Sequence, residues 1–229
     1  MDMRQQWSQQ QPELRRLLHV KGQWDNDLPL FLHQHAILHS AAMEPTGEWS
    51  YEDAVLEGLT EEQMRLKLGA GMNSIVWLIW HMARTEDATM NLLVAGRPQV
   101  LDDANWLEQL KLTRRDIGTS MGDEEVAEIS AHLHIAVVRA YRVAVGRRTR
   151  EIVRGLQATE LAERVDANRI QKLLAAGALA EGAYALAQFW GGKKKADILA
   201  RPVTRHSFAH LNETGLVRKK LGFGNLNWR

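Results

Sequence analysis

The stretch from Asn73 to Gly96, NSIVWLIWHMARTEDATMNLLVAG, leaves this chain the fewest choices. Ile75, Leu78, Ile79, Met82, Leu92 and Leu93 recur near helical spacing, and Trp77 and Trp80 widen the same apolar face. Asn73 and Ser74 offer capping oxygens at one end. Gly96 can close the other end, and Pro98 prevents continuation. His81 lies one turn after Trp77, within the apolar face. A buried imidazole must find a hydrogen-bond partner or a metal, because leaving it unpaired is costly. This stretch alone leaves both open.

The rest of the chain reads the same way. Asp25 or Asp27 opens a helix whose stripe is Leu28, Phe31, Leu32, His35, Leu38 and His39, ended by Pro45 and Gly47. Thr60 and Gln63 form a capping box before a short helix. From Asp123 to Leu156 one long helical pattern carries acids in its first turn and arginines in its last. Pro202 falls in the first turn of a final helix reaching Leu221. No stretch reads as a strand and nothing repeats. The expectation is an all-α, four-helix bundle over residues 25–222, with short additional helices in its connections. Residues 1–24 read as a polar arm and 223–229 as a tail.

Composition excludes several chemistries. The chain has 229 residues and no cysteine, which removes disulfides, thiolate zinc sites, iron–sulfur clusters and a cysteine nucleophile. A formal net charge of +1 gives no global field for nucleic acid. Lys193, Lys194, Lys195, Arg201, Arg205, Arg218, Lys219 and Lys220 make the C-terminal part basic, but aromatic interleaving is thin. No apolar run is long enough to cross a bilayer, and the N-terminus lacks a signal-like region, so a cytoplasmic protein is expected. Eight tryptophans and several exposed-looking apolar positions suggest pairing with a second copy.

Two motifs can carry metal chemistry. His206 and His210 stand one turn apart on one helix face, as two nitrogen ligands of one ion would. Glu213, three residues on, can complete the coordination, orient a ligand or act as a base. His35 and His39 have the same spacing. Either pair can equally be core histidines. Gly118-Thr119-Ser120-Met121-Gly122 matches a nucleophile-elbow string but has no strand before it, so it reads as a loop. No Glu-x-x-His occurs, which argues against a di-iron carboxylate bundle.

NSIVWLIWHMARTED resembles the second-helix motif of the DinB-like (DinB/YfiT) bundle proteins, and HSFAHLNET resembles their fourth-helix His-x-x-x-His. DIGTSMGDEEVAEIS and YRVAVGRRTREIV are similar to segments of one bacterial branch. The resemblance covers roughly residues 25–221. It implies a four-helix bundle with a divalent-metal site made by His81, His206 and His210, the ion being Zn, Ni, Mn or Fe. It also implies activities on small molecules, among them transferases and isomerases that use a small thiol. Leu211-Asn212-Glu213 departs from the family's usual basic, Gln-containing run. In this reading His35 stays outside the site, while Glu213 and His39 are candidates to move protons. The competing reading is a non-catalytic stress-response or interaction protein with a structural ion or structural histidines.

Overall fold

The computed structural model describes residues 3–20, 22–45, 47 and 49–224. Among these the regular structure is helix, with no strand and one isolated bridge between Arg164 and Lys194. The tail expected over 223–229 lies outside the described residues from 225 onward.

The helix Ile75–Asp87 is the axis of the molecule. Ser74 caps it, its hydroxyl accepting from the Trp77 amide at 3.1 Å. Every residue from Ile75 to Asp87 is buried, so this helix is covered on all sides rather than along one stripe. It packs on the helices Ile135–Gly155 and His206–Lys220. Below Asp87 the backbone widens into a π-helical stretch, Ala88–Ala95, which ends at Gly96 with φ +71°.

The buried Asp87 carboxylate on this axis is fully engaged. Asp87 accepts from the Arg84 guanidinium (3.0 Å), from the Tyr141 hydroxyl (2.5 Å) and from the amides of Val100 and Leu101 (2.8 and 3.0 Å). This network fastens the loop after Gly96 to one flank of the axis, as satisfied buried polar groups do.

Besides the helix opened near Asp25, which ends at Ile37 rather than near Pro45 and leaves His39 beyond it, three segments differ from the sequence expectation. The pattern from Asp123 to Leu156 is not one helix: Asp123–His132 and Ile135–Gly155 are separated at Leu133, which is extended (φ −54°, ψ 132°) and fully buried. No glycine or proline stands there, so tertiary burial of Leu133 overrides local propensity. The last helix does not start at Pro202. A turn at Lys195–Ile198 runs into a π-helical stretch, Leu199–Arg205, and the α-helix His206–Lys220 follows. Pro202 has no amide to donate, and the wider turn accommodates it. The Thr204 hydroxyl returns hydrogen bonds to the carbonyls of Leu199 and Ala200.

The third segment is the N-terminal one. Residues Met3–Leu17 form a helix whose Trp7 and Leu14 are buried. The Trp7 indole donates to the Gln34 carbonyl at 3.2 Å, and its ring stacks on Phe208 with centroids 4.0 Å apart. This helix thus lies over the one that carries His206 and His210. Of the eight tryptophans, Trp7, Trp24, Trp77, Trp80 and Trp190 are buried, and Trp228 lies outside the described residues. Within the basic run, Lys195 is buried and pairs with Glu160 and Glu163 at 3.0 and 2.9 Å.

Candidate metal centre

His81 and the last helix meet at three imidazole nitrogens. His81 Nε2 lies 3.1 Å from His206 Nε2, and His210 Nε2 lies 3.1 Å from the same atom. The pair on the last helix is one turn apart, so both rings reach the same side. The axial helix supplies the third ring from its buried face.

Two of the three tautomers are fixed by their outer nitrogens. His81 Nδ1–H donates to the Ile117 carbonyl at 2.5 Å. His210 Nδ1–H donates to Glu213 Oε2 at 2.8 Å. In both rings the proton therefore sits on Nδ1, and Nε2 presents a lone pair toward His206. The outer-nitrogen partners that orient metal-ligating histidines are of this kind, a backbone carbonyl and a carboxylate. Glu213 is itself held: its Oε1 accepts from Asn73 Nδ2 at 3.1 Å. The His206 Nδ1 has no hydrogen-bond partner among the described residues.

The loop that provides the Ile117 carbonyl is built for close approach. The Asp116 carboxylate accepts from the Gly118 amide at 2.8 Å, closing a turn. Gly118 has φ +81°, and a Cβ there would fall 2.5 Å from the Trp80 ring. Trp77 stacks on the His81 ring (centroids 4.6 Å apart, planes at 12°) and walls the site on one side. On the other side the His210 and Glu213 side chains are 21% and 32% exposed, so the centre opens to solvent there.

Burial keeps the His81 and His206 rings neutral. It pushes His81 down to about 4, and the neighbouring His210 adds to the shift against the opposing pull of the Ile117 carbonyl, Glu213 and Asp116. Burial, then His81 and His210, hold His206 well below the usual histidine range. For Glu213 burial acts upward, but the His210 hydrogen bond and charge, with Asn73, bring its carboxyl net below the usual value. At neutral pH His81 and His206 are thus neutral imidazoles and Glu213 is a carboxylate, the protonation states a metal requires.

His39 is not part of this group. It lies just past the helix Trp24–Ile37, in a second cluster with His35 and Glu86. His35 Nε2 donates to Glu86 Oε1 at 2.8 Å, and His39 Nε2 to Glu86 Oε2 at 2.9 Å. All three side chains are 0–1% exposed. So His81, His206, His210 and Glu213 come together as the sequence motifs suggest, and His35 stands apart from them. The roles of the Ile117 carbonyl and Asn73 here, and of Glu86 in the second cluster, had no signal in the sequence, although Asn73 and Glu86 lie within the Asn73–Asp87 stretch. A carbonyl has no residue-type signal, and Glu86 lies far in sequence from the histidines it joins.

No curated protein matches this chain. The DinB superfamily profile matches residues 46–189, more than half of the chain. That span includes His81 and Glu86 and ends before His206 and His210, which the fold brings to His81. The chain belongs to the DinB superfamily.

Proposed function

We propose that this protein is a divalent-metal-dependent enzyme acting on a small molecule, with His81, His206 and His210 as the metal ligands. The observation that carries this reading is the convergence of three Nε2 atoms, two of them held as lone pairs by hydrogen bonds on their Nδ1 atoms. Both of those lone pairs are aimed at His206 Nε2. Three neutral imidazoles suit Zn²⁺, Ni²⁺, Mn²⁺ or Fe²⁺. A bound ion supplies Lewis acidity and lowers the pKa of a water or thiol at its open position.

The chain's own residues do the positioning. Ile117 and Glu213 fix ring tautomer and angle. Trp77 excludes water from one side of His81. The exposed flank beside His210 and Glu213 is where a small molecule gains access. Both Glu213 oxygens are engaged, one by His210 and one by Asn73, so it acts through His210 rather than on substrate. His39, engaged with Glu86, has no role at this centre. Because the chain has no cysteine, any reactive thiol is brought by a co-substrate. Thiol-dependent transfer or isomerisation, or hydrolysis where water takes that place, are the reaction classes that follow.

Metal analysis of the purified protein and its variants tests the reading. His81→Ala, His206→Ala and His210→Ala should each remove about one ion per chain. Screening the metal-loaded protein for conjugation of small thiols to electrophiles then tests the activity. Unchanged metal content in the His206→Ala, His210→Ala double variant would sink the metal assignment. Bound metal with no turnover of any thiol or hydrolysable substrate would favour the non-catalytic reading.

A further inference from the structure

The cluster formed by His35, His39 and Glu86 is physically unlike the centre just described. It is closed. Its three side chains are buried at 0–1% exposure, and each Glu86 oxygen meets one imidazole Nε2. His81 and Glu86 share the axial helix, five residues apart. That places them about 7.5 Å apart along the axis and roughly 140° apart around it. The two groups therefore occupy different faces of one helix.

Among the described residues no lysine or arginine pairs with the buried Glu86 carboxylate. Arg142, which donates at 2.9 Å to the carbonyl of Leu38, next to His39 in the chain, is already committed to the buried Glu52 carboxylate. Among the described residues, the Glu86 carboxylate thus takes its hydrogen bonds from imidazoles. Both outer nitrogens, His35 Nδ1 and His39 Nδ1, are buried without a hydrogen-bond partner among those residues. A buried carboxylate bonded only to imidazoles, beside two buried ring nitrogens without partners, is a costly arrangement unless a cation joins it.

We infer that His35 Nε2, His39 Nε2 and the Glu86 carboxylate form a second, structural divalent-cation site. One nitrogen from each ring and an oxygen of the carboxylate lie within 4.8 Å of one another, close enough for one ion to draw them together. Two imidazoles and a carboxylate binding through both oxygens give four donors, the number of a closed structural zinc site. With an ion bound, each imidazole carries its proton on Nδ1 and turns its Nε2 lone pair to the ion in place of the hydrogen bond to Glu86. The ion neutralises the carboxylate and ties the end of the helix Trp24–Ile37 to the axial helix. Because no face of the cluster meets solvent, the ion takes no part in turnover. It contributes to folding stability, since binding to a site absent from the unfolded chain is linked to folding.

The test separates this site from the solvent-exposed one. Parent protein and variants are refolded from denaturant with excess Zn²⁺, desalted and analysed for metal. The parent should hold about two ions per chain and the His206→Ala, His210→Ala variant about one. Adding Glu86→Gln, which keeps the shape and removes the charge, should leave that variant with about none. Glu86→Gln alone should retain about one ion, at the His81 site. If Glu86→Gln changes metal content in neither background, the cluster is a hydrogen-bonded clip and the inference fails, whatever the fate of the His81 centre. If only Glu86→Gln lowers metal content, this site stands and the His81 assignment falls. Should Glu86→Gln not fold, the thermal midpoint of the His206→Ala, His210→Ala variant decides. A rise with Zn²⁺, abolished by His39→Gln, supports the site; no rise overturns it.

Discussion

The Ile117 carbonyl oxygen stands 2.5 Å from His81 Nδ1, and the next residue, Gly118, has a φ of +81° that an L side chain rarely adopts. The carbonyl is aimed by that glycine. Gly118→Ala should cost about 1–3 kcal/mol, from backbone strain together with a Cβ pressed on the Trp80 ring. It should also weaken metal binding, because the acceptor that fixes the His81 tautomer moves with the turn. Urea denaturation and a competitive metal titration measure the two effects. Loss of stability with unaltered metal affinity would show that Ile117 does not orient His81.

Glu213 gives a more local test. Glu213→Gln preserves size and can still accept from Asn73, but it removes the carboxylate facing His210 Nδ1. Loss of such a partner typically lowers metal affinity about 10–100-fold. Folding stability should change little, since the side chain is 32% exposed. A chelator competition assay reads the affinity. An unchanged value would remove Glu213 from the positioning of His210.

Much of this arrangement was legible in the sequence, and the limits have physical causes. Helical periodicity is local, so Asn73–Gly96 and the spacing of His206 and His210 could be read directly. Joining His81 to that pair needed the family resemblance, because it depends on helices 125 residues apart meeting. Leu133 breaks a continuous helical pattern through burial, and the π-helical turns before His206 depend on how Pro202 is packed; neither leaves a local signature. The Met3–Leu17 helix is polar on average, and its docking depends on single side chains such as Trp7 against Phe208. Glu86 reads as one more acid near a helix end until the fold sets it between His35 and His39.

Acid should destabilise the metal-free protein within a defined window. At pH above 6.5 His81 is neutral in both folded and unfolded chains and contributes no pH dependence. Below that, the unfolded chain gains a proton that the folded chain, with His81 held down to about 4, does not. Stability therefore falls as pH drops from 6.5 toward 4, by up to about 3 kcal/mol from this residue. His39 acts in the same direction, down to about 3. Chemical denaturation of chelator-treated protein across pH 4–7 measures the slope, and His81→Gln should make it shallower. An equal slope in that variant would show that His81 is not buried as a neutral ring.

Gly146 opposes helix propensity to packing. It lies inside the helix Ile135–Gly155, where alanine is favoured over glycine by roughly 1 kcal/mol. A Cβ there would fall 2.5 Å from Met43 Sδ and 2.8 Å from His39 Nδ1. Met43 can swing aside. His39 cannot do so freely, because its other nitrogen is engaged with Glu86 at 2.9 Å. Overpacking of this kind costs about 1–3 kcal/mol, so packing should win and Gly146→Ala should be destabilising. Gly155, at the end of the same helix, is the control: a Cβ added there would meet nothing within 4 Å, and Gly155→Ala should be neutral or mildly stabilising. Thermal melts of the two variants give the comparison. If Gly146→Ala is as stable as Gly155→Ala, the His39 ring is free to move, and Glu86 does not hold it.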